Sequence, residues 1–423
     1  MLTTGIYHWL RANGDVFVAI SLAGCLVVTD WAIIVLSFYL LLIILSSSFR
    51  SIWQSILNYN SEFFRTKTGI YYNTRLAFLA PFFFLLIYHN DGLSGIETPL
   101  KSLLVAYVIV FNIDRFRWPL LVQGAAVGAI AAFIFGLLQV GPHAIDRSAG
   151  GTSLVRFGMI AMALASVCAV GVVHSRSDRL TAGLAFSGFL AGIGAALVSG
   201  SRGALLALPF VLALLVPVLW RRSKRIFLTA TLVIVVFIGG LLAANVGNMA
   251  TRIGQVYSNI SAPLGGGEVS SDRSVGDRTK LLVLAYQLFQ EHPLLGVGAG
   301  GWTTAIRKLY EETPDPRDWI RMPYNQAHNQ YADDLAKGGI VRFLLNFLLL
   351  FLPLYLFLKR EPYSGENESQ FALAGAVVSV AFMIFCLTES LMILSLSASV
   401  HAALIFSLLA AGEPADRRAQ PAP

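Results

Sequence analysis

Charge is scarce in this 423-residue chain, where 13% of residues are Asp, Glu, Lys or Arg. An ordinary soluble domain carries about 25%, so a conventional water-soluble globule is excluded. Cysteine is equally sparse. Cys25, Cys168 and Cys386 lie far apart inside apolar runs, which leaves neither a disulfide framework nor a C-x-x-C site. The chain also lacks H-E-x-x-H, D-x-D and G-K-[ST], the motifs of zinc hydrolases, carboxylate-held metals and phosphate-binding loops. No metal and no cofactor are therefore expected. The net charge of +7 does not point to nucleic acid, because in a chain this apolar the distribution of charge matters more than its sum.

Apolar sequence is abundant instead: 56% of residues are hydrophobic, and the mean hydropathy is +0.67. The sequence predicts an all-α polytopic membrane protein, since the apolar runs are continuous rather than alternating and backbone groups in lipid must pair internally. A bilayer span takes roughly 20 apolar residues, so a set of about 12 transmembrane helices fits the length. Nine runs fall near residues 16–28, 31–46, 75–90, 99–112, 119–138, 154–173, 180–198, 203–219 and 225–244, and three near 339–358, 371–388 and 392–411. The chain divides accordingly into spans 1–9 over residues 1–244, a large helical loop over 245–338, spans 10–12 over 339–411 and a tail over 412–423.

Basic residues set the orientation. Arg11, Arg50, Arg65, Lys67, Arg115, Arg117, Arg176, Arg179, the cluster 221–225, Lys359, Arg360, Arg417 and Arg418 fall in alternate loops, whereas the short loops of the other set hold only Arg147 and Arg202. Basic short loops mark the cytoplasmic side. Both termini are thus expected inside and the loop 245–338 outside. Leu22-Ala23-Gly24-Cys25 fits a lipoprotein cleavage box, but apolar sequence resumes directly after it where a lipoprotein has a polar tether, so the segment reads as a span.

Polar residues then become informative, because ionisable groups in a bilayer are costly. His401 lies within a span and reads as a histidine bonded to a neighbouring helix. Arg147, Arg156, Arg202 and Arg342 gather at outer span ends, where arginine is normally depleted, which suggests an anionic ligand; lipid headgroups account for Arg147 and Arg156 nearly as well. In the outer loop, the glycines 265–267 read as a flexible connection, and Asp277 to Glu291 as a helix with Leu281, Leu284 and Leu288 on its apolar face, ended by His292-Pro293. Gly296-Val297-Gly298-Ala299-Gly300-Gly301 satisfies G-x-G-x-x-G, but it follows a helix rather than a strand and so reads as a tight turn, not a dinucleotide site. After Pro314, Pro316 and Pro323, a last outer helix is expected from near Asn325, carrying His328 and stopping at Lys337-Gly338-Gly339. His328 is the best acid–base candidate. On a helix its neighbours would be near 331, 332 and 335, so neither Asp333 nor Asp334 would orient it, and both catalysis and a surface hydrogen bond stay open.

Three stretches together resemble the O-antigen ligase and polymerase superfamily: Ser199-Gly200-Ser201-Arg202-Gly203-Ala204, then Gly276-Asp277-Arg278 leading to Pro293-Leu294-Leu295-Gly296-Val297-Gly298, then Ala327-His328-Asn329 ahead of a span. The resemblance covers about residues 150–345. It implies transfer of a glycan from an undecaprenyl-diphosphate donor, at the periplasmic face of a bacterial inner membrane, to a sugar hydroxyl of lipid A–core. It also implies a centre built of His328 as general base with Arg202 and Arg278 on the diphosphate, and with Arg147 and Arg156 as secondary phosphate contacts. Arginine suits that task, since its planar fork matches phosphate oxygens; the other reading of Arg278 is a salt bridge with Asp277. Such a reaction needs no metal, and a single displacement inverts the anomeric centre. The alternatives are a polymerase of the same superfamily, which elongates the glycan itself, and a transporter of the lipid-linked glycan, which would place its site near the bilayer midplane.

Overall fold

The computed structural model describes residues 2–26, 31–46, 66–140, 152–175, 178–222, 224–243, 273–312, 324–359 and 366–412. Arg147, the glycines 265–267 and the prolines at 314, 316 and 323 lie outside the described residues. Every described element is helical. In chain order these are α1 (Leu2–Ala12), α2 (Gly14–Gly24), α3 (Trp31–Ser46), α4 (Lys67–Ala77), α5 (Leu79–Tyr88), α6 (Glu97–Asn112), α7 (Trp118–Val140), α8 (Leu154–His174), α9 (Arg179–Ser199), α10 (Arg202–Arg222), α11 (Lys224–Ala243), α12 (Arg273–Glu291), α13 (Gly298–Glu312), α14 (Gln330–Leu358), α15 (Glu366–Phe385) and α16 (Ser395–Ala411). Five spans are long and apolar enough to cross a membrane: Lys67–Tyr88, Trp118–Val140, Leu154–His174, Arg179–Ser199 and Gln330–Leu358. The chain is an all-α membrane protein.

Two helices form the middle of the bundle. α16 is buried from Leu396 to Ala411, and α8 from Phe157 to Gly171. Around α8 pack α7, α9, α10 and α15. In lipid there is little hydrophobic drive between helices, so small residues that let backbones approach supply the contact. A Cβ on Gly124 of α7 would fall 2.5 Å from the carbonyl oxygen of Ala19 on α2, and one on Gly188 of α9 2.6 Å from the Cα of Ala126. The sequence did not announce α1, whose exposed Ile6 and Trp9 lie outside the continuous apolar runs that mark spans.

One polar group sits deep in the bundle. Arg75 of α4 is buried and donates to Nδ1 of His401 at 2.8 Å and to the Tyr71 hydroxyl at 3.2 Å. Tyr71 in turn donates to the carbonyl of Leu349 at 2.8 Å. His401 is thus bonded across helices, and its partner is an arginine.

The helices α12 and α13 pack on α14. Leu281, Ala285 and Leu288 of α12, Trp302 and Ile306 of α13, and Ala336 of α14 share one small core. The segment 293–297 crosses α14 at its break: Val297 N donates to Ala336 O at 2.9 Å and Ile340 N to Pro293 O at 2.8 Å. Here the expected helix end proves to be a kink. Gly339 has φ 60° and ψ −158°, yet helix resumes beyond it as far as Leu358. A Cβ at Gly339 would lie 2.3 Å from the Leu294 carbonyl, and one at Gly296 (φ +67°) 2.4 Å from Gly338 N, so glycine is required at both positions.

The second half of the glycine motif opens α13. Its exposed N-terminal amides at Ala299 and Gly300 donate to Asp91 Oδ2 and Oδ1, at 2.7 and 2.9 Å. Asp91 belongs to the connection between α5 and α6, where His89 Nε2 also meets the carbonyl of Leu295 at 2.7 Å. A carboxylate at a helix N-terminus satisfies orphan amides and complements the helix dipole. This anion-binding end is therefore filled by the protein itself.

Candidate active site

His328 does not ride on a helix. α14 starts only at Gln330, because the Asn329 side chain accepts from Ala332 N at 3.0 Å and caps it there. His328 has φ +52°, a left-handed conformation that non-glycine residues seldom adopt. The expectation of a helix from Asn325 is corrected accordingly, and with it the list of neighbours His328 can reach.

The strained loop is held on all sides. Trp302 Nε1 donates to Tyr324 O at 2.9 Å, Lys337 Nζ to Asn325 O at 2.7 Å, and Ala327 N to Asp333 Oδ1 at 3.0 Å. On the opposite side it meets the turn between α15 and α16. Asn329 Nδ2 donates to Leu387 O at 3.0 Å, Gln330 N to Cys386 O at 2.8 Å, and Met392 N to Gln330 Oε1 at 2.8 Å. Such over-determination is what lets a residue persist in a sparsely populated backbone region.

That turn supplies the partner the sequence reading missed. Nδ1 of His328 lies 3.0 Å from both Oε1 and Oε2 of Glu389, a carboxylate only 3% exposed. Gln326 Nε2 donates to the same Oε1, and the Tyr324 ring meets the imidazole edge-on with centroids 4.9 Å apart. An ionised carboxylate only accepts, so Nδ1 carries the hydrogen and Nε2 is left as the acceptor nitrogen. The signal in the sequence was slight: one acid in a short turn between two apolar runs, where an ionisable group needs a reason.

For the two arginines named from sequence, the structure shows a link to this loop and turn in the residue beside each. Arg202 is exposed at the first position of α10. Gly200, at φ 64°, closes α9 in the left-handed conformation, and Ser201 Oγ faces Ala204 N at 3.4 Å at the start of α10, so Ser-Gly-Ser-Arg is a helix-to-helix corner. The next residue, Gly203, packs so closely on Thr388 that a Cβ would fall 2.0 Å from its hydroxyl oxygen. Arg278, half-buried near the start of α12, follows Asp277, whose Oδ2 accepts from Tyr324 Oη at 3.5 Å. Each arginine thus adjoins a residue that touches the surroundings of His328.

The remaining candidates fare differently. Arg156, near the start of α8, donates to Ser153 Oγ at 2.9 Å. Arg342 holds an internal anion: its Nε donates to Asp334 Oδ1 at 2.9 Å, and its Nη2 is 3.8 Å from Asp333 Oδ2. Asp333 also pairs with Lys337 at 2.8 Å. Among the described residues, no three His, Cys, Asp or Glu side chains come together as a metal site requires.

The described helices and the buried His328–Glu389 pair define a class: helical membrane proteins with a carboxylate-oriented histidine. Comparison with known proteins narrows it, since residues 187–347 match the O-antigen ligase family, whose members act on lipid-linked glycans. The matched stretch contains Arg202, Arg278 and His328, and ends before Glu389. The chain is also similar to an uncharacterized protein of Haemophilus influenzae, at 20% identity over 320 residues, covering 74% of this chain and 79% of that protein.

Proposed function

We propose that this protein is an O-antigen ligase that transfers a glycan from undecaprenyl diphosphate to a sugar hydroxyl of lipid A–core, on the periplasmic face of the inner membrane. The observation that carries the reading is the His328–Glu389 pair, which presents Nε2 as a proton acceptor. The acceptor hydroxyl oxygen attacks the anomeric carbon, and its proton passes to His328 Nε2. The bond from that carbon to the diphosphate oxygen breaks, its electron pair leaving with the diphosphate. The anomeric configuration inverts. Glu389 stabilises the imidazolium that forms, as the third member of a triad does.

Arg202 and Arg278 hold the departing diphosphate with forked, charge-assisted hydrogen bonds, and the N-terminus of α10 adds its partial positive charge. General-base catalysis is typically worth about 10²–10⁴-fold, and stabilisation of developing charge as much or more. The sugar–diphosphate bond is already activated, so the step calls for neither ATP nor a metal. Arg147 and Arg156 are secondary phosphate contacts. In this reading the chain crosses the membrane about 12 times, with both termini in the cytoplasm and 245–338 outside.

The test uses purified protein in proteoliposomes with lipid-linked glycan and lipid A–core, following the acceptor's shift on a gel. Wild type is expected to shift the acceptor without ATP and after chelator treatment, and His328→Ala and Arg202→Ala to abolish the shift while remaining folded. Longer glycan on the donor lipid alone identifies a polymerase. Movement of the donor lipid across the bilayer with no covalent product refutes the transferase reading.

A further inference from the structure

A second polar feature lies at the far end of the bundle. Gly158, near the start of α8, packs on Ser199 and Ser201, beside Arg202. From there α8 and α10 run in the same sense to His174 and Arg221. A helix of 21 residues, the length of each, rises about 30 Å, the thickness of a bilayer's hydrocarbon core. His174 and Arg221 therefore sit at the membrane boundary opposite His328.

Between these ends is a cleft of about 350 Å³ lined by His174, Pro217, Val218 and Arg221. Its walls are apolar and its rim is basic. Pro217, inside α10, interrupts the helical hydrogen-bond ladder at this point. Lys224 extends the positive rim, its Nζ lying 5.2 Å from the centre of the Trp220 ring. Among the described residues none that lines the cleft is acidic; His174 Nδ1 lies 3.3 Å from the carbonyl oxygen of Val170, and the nearest acid along the chain from His174, Asp178, is engaged by Thr181 through both its backbone N–H and its hydroxyl. Beyond the rim, Leu228, Leu232, Val235 and Val236 of α11 are each at least 60% exposed.

We propose that this cleft is a binding site for an anionic phospholipid. The phosphate sits between His174 and Arg221, the glycerol backbone enters between Pro217 and Val218, and an acyl chain follows the exposed face of α11. Basic pockets between helices at the membrane boundary take acidic headgroups in this way, and an indole with a lysine beside it belongs at the same depth. The occupant is a bilayer lipid rather than free phosphate, because the apolar lining exceeds what an inorganic ion can use. This inference stands on the cleft and the membrane helices, and does not depend on glycan transfer.

Delipidated full-length protein in neutral detergent provides the test, titrated with phosphatidylglycerol, cardiolipin, phosphatidylcholine or inorganic phosphate and read by thermal shift and native mass spectrometry. Wild type is expected to melt higher with phosphatidylglycerol or cardiolipin and to retain one lipid adduct, with no response to phosphatidylcholine or phosphate. Arg221→Gln with His174→Gln should weaken the response at least tenfold. The exposed Arg115, at the same end of the bundle, serves as control, and Arg115→Gln should leave the response intact. Because Arg221 is exposed, Arg221→Glu alone gives a check that spares packing, and it too must lose the adduct. An equal response in all variants, a response to phosphate alone, or no response to anionic lipid overturns the proposal.

Discussion

Replacing Glu389 by Gln is the sharpest test of the centre. The change keeps the size and hydrogen-bonding reach of the side chain and removes its charge. Two unit charges about 4 Å apart at an effective dielectric of about 20 interact by about 4 kcal/mol, and the 3.0 Å contacts between His328 and Glu389 put the pair in that range. Loss of that stabilisation from the imidazolium formed during transfer slows the step by about 10³-fold, at 1.36 kcal/mol per factor of ten. A second effect has the same sign. The new amide can turn its NH₂ toward Nδ1, which fixes the hydrogen on Nε2 and removes the base. The assay is single-turnover glycan transfer in proteoliposomes at saturating donor, so that kcat is read apart from KM. His328→Ala sets the floor, and His328→Ala with Glu389→Gln should sit at that floor, because the pair acts as a unit. Glu389→Asp should recover part of the rate. If Glu389→Gln retains more than about a tenth of wild-type kcat while His328→Ala is inactive, or if the two losses multiply in the double variant, the triad reasoning is wrong.

Other consequences follow from the same geometry. Arg342→Met takes the cation from the buried Asp334, which keeps only the neutral Gln330 and Asn346 as partners, while Asp333 retains Lys337; breaking a buried pair from one side costs about 3–5 kcal/mol, so a marked fall in melting temperature is expected, largely relieved by adding Asp334→Asn. Gly339→Ala forces alanine into a positive-φ, extended-ψ conformation open essentially to glycine alone, at about 1–3 kcal/mol, with a Cβ driven into the Leu294 carbonyl on top, and should lower the melting temperature more than Gly183→Ala, where nothing lies within 4 Å of the new Cβ. Asp91→Ala uncaps α13 and should cost about 0.5–2 kcal/mol, seen as faster amide hydrogen exchange at Ala299 and Gly300 with α7–α9 unchanged. Arg278→Gln, if Arg278 holds the diphosphate, should raise KM for the lipid-linked donor while leaving that for the acceptor alone.

Much of the helical framework was legible because lipid imposes a simple rule: each expected run overlaps a helix among the described residues, although the run 75–90 meets two helices that begin at Lys67 and break at Phe78. The proposed site was named only in part from the sequence. His328, Arg202 and Arg278 come from local motifs, but Glu389, which the structure sets against His328, stands 61 residues away, and no periodicity links them. Placing Asn325 to Asp334 on one helix misdirected the search for a partner, since Asn329 caps α14 after His328 rather than before it. Arg342 was misread for a related reason. On an unbroken helix Asp334 and Arg342 would stand about 12 Å apart along the axis, and only the turn at Gly339 folds them into contact. A glycine pair marks a place where the backbone can depart from helix, but not the direction it takes.

The clamp between the 324–330 loop and the turn after α15 bears on how this protein can be dissected. The loop 324–329 between α13 and α14 carries His328, but the carboxylate that orients it comes from the turn between α15 and α16, together with the carbonyls of Cys386 and Leu387 that tie down Gln330 and Asn329. A soluble fragment cut from residues 273–338 would keep the histidine and lose its orientation. The His328–Glu389 pair therefore belongs to a seam rather than to a module, and any force that shifts α15 and α16 against α12, α13 and the 324–329 loop, such as a thinner bilayer or a small detergent micelle, acts directly on the orientation of His328.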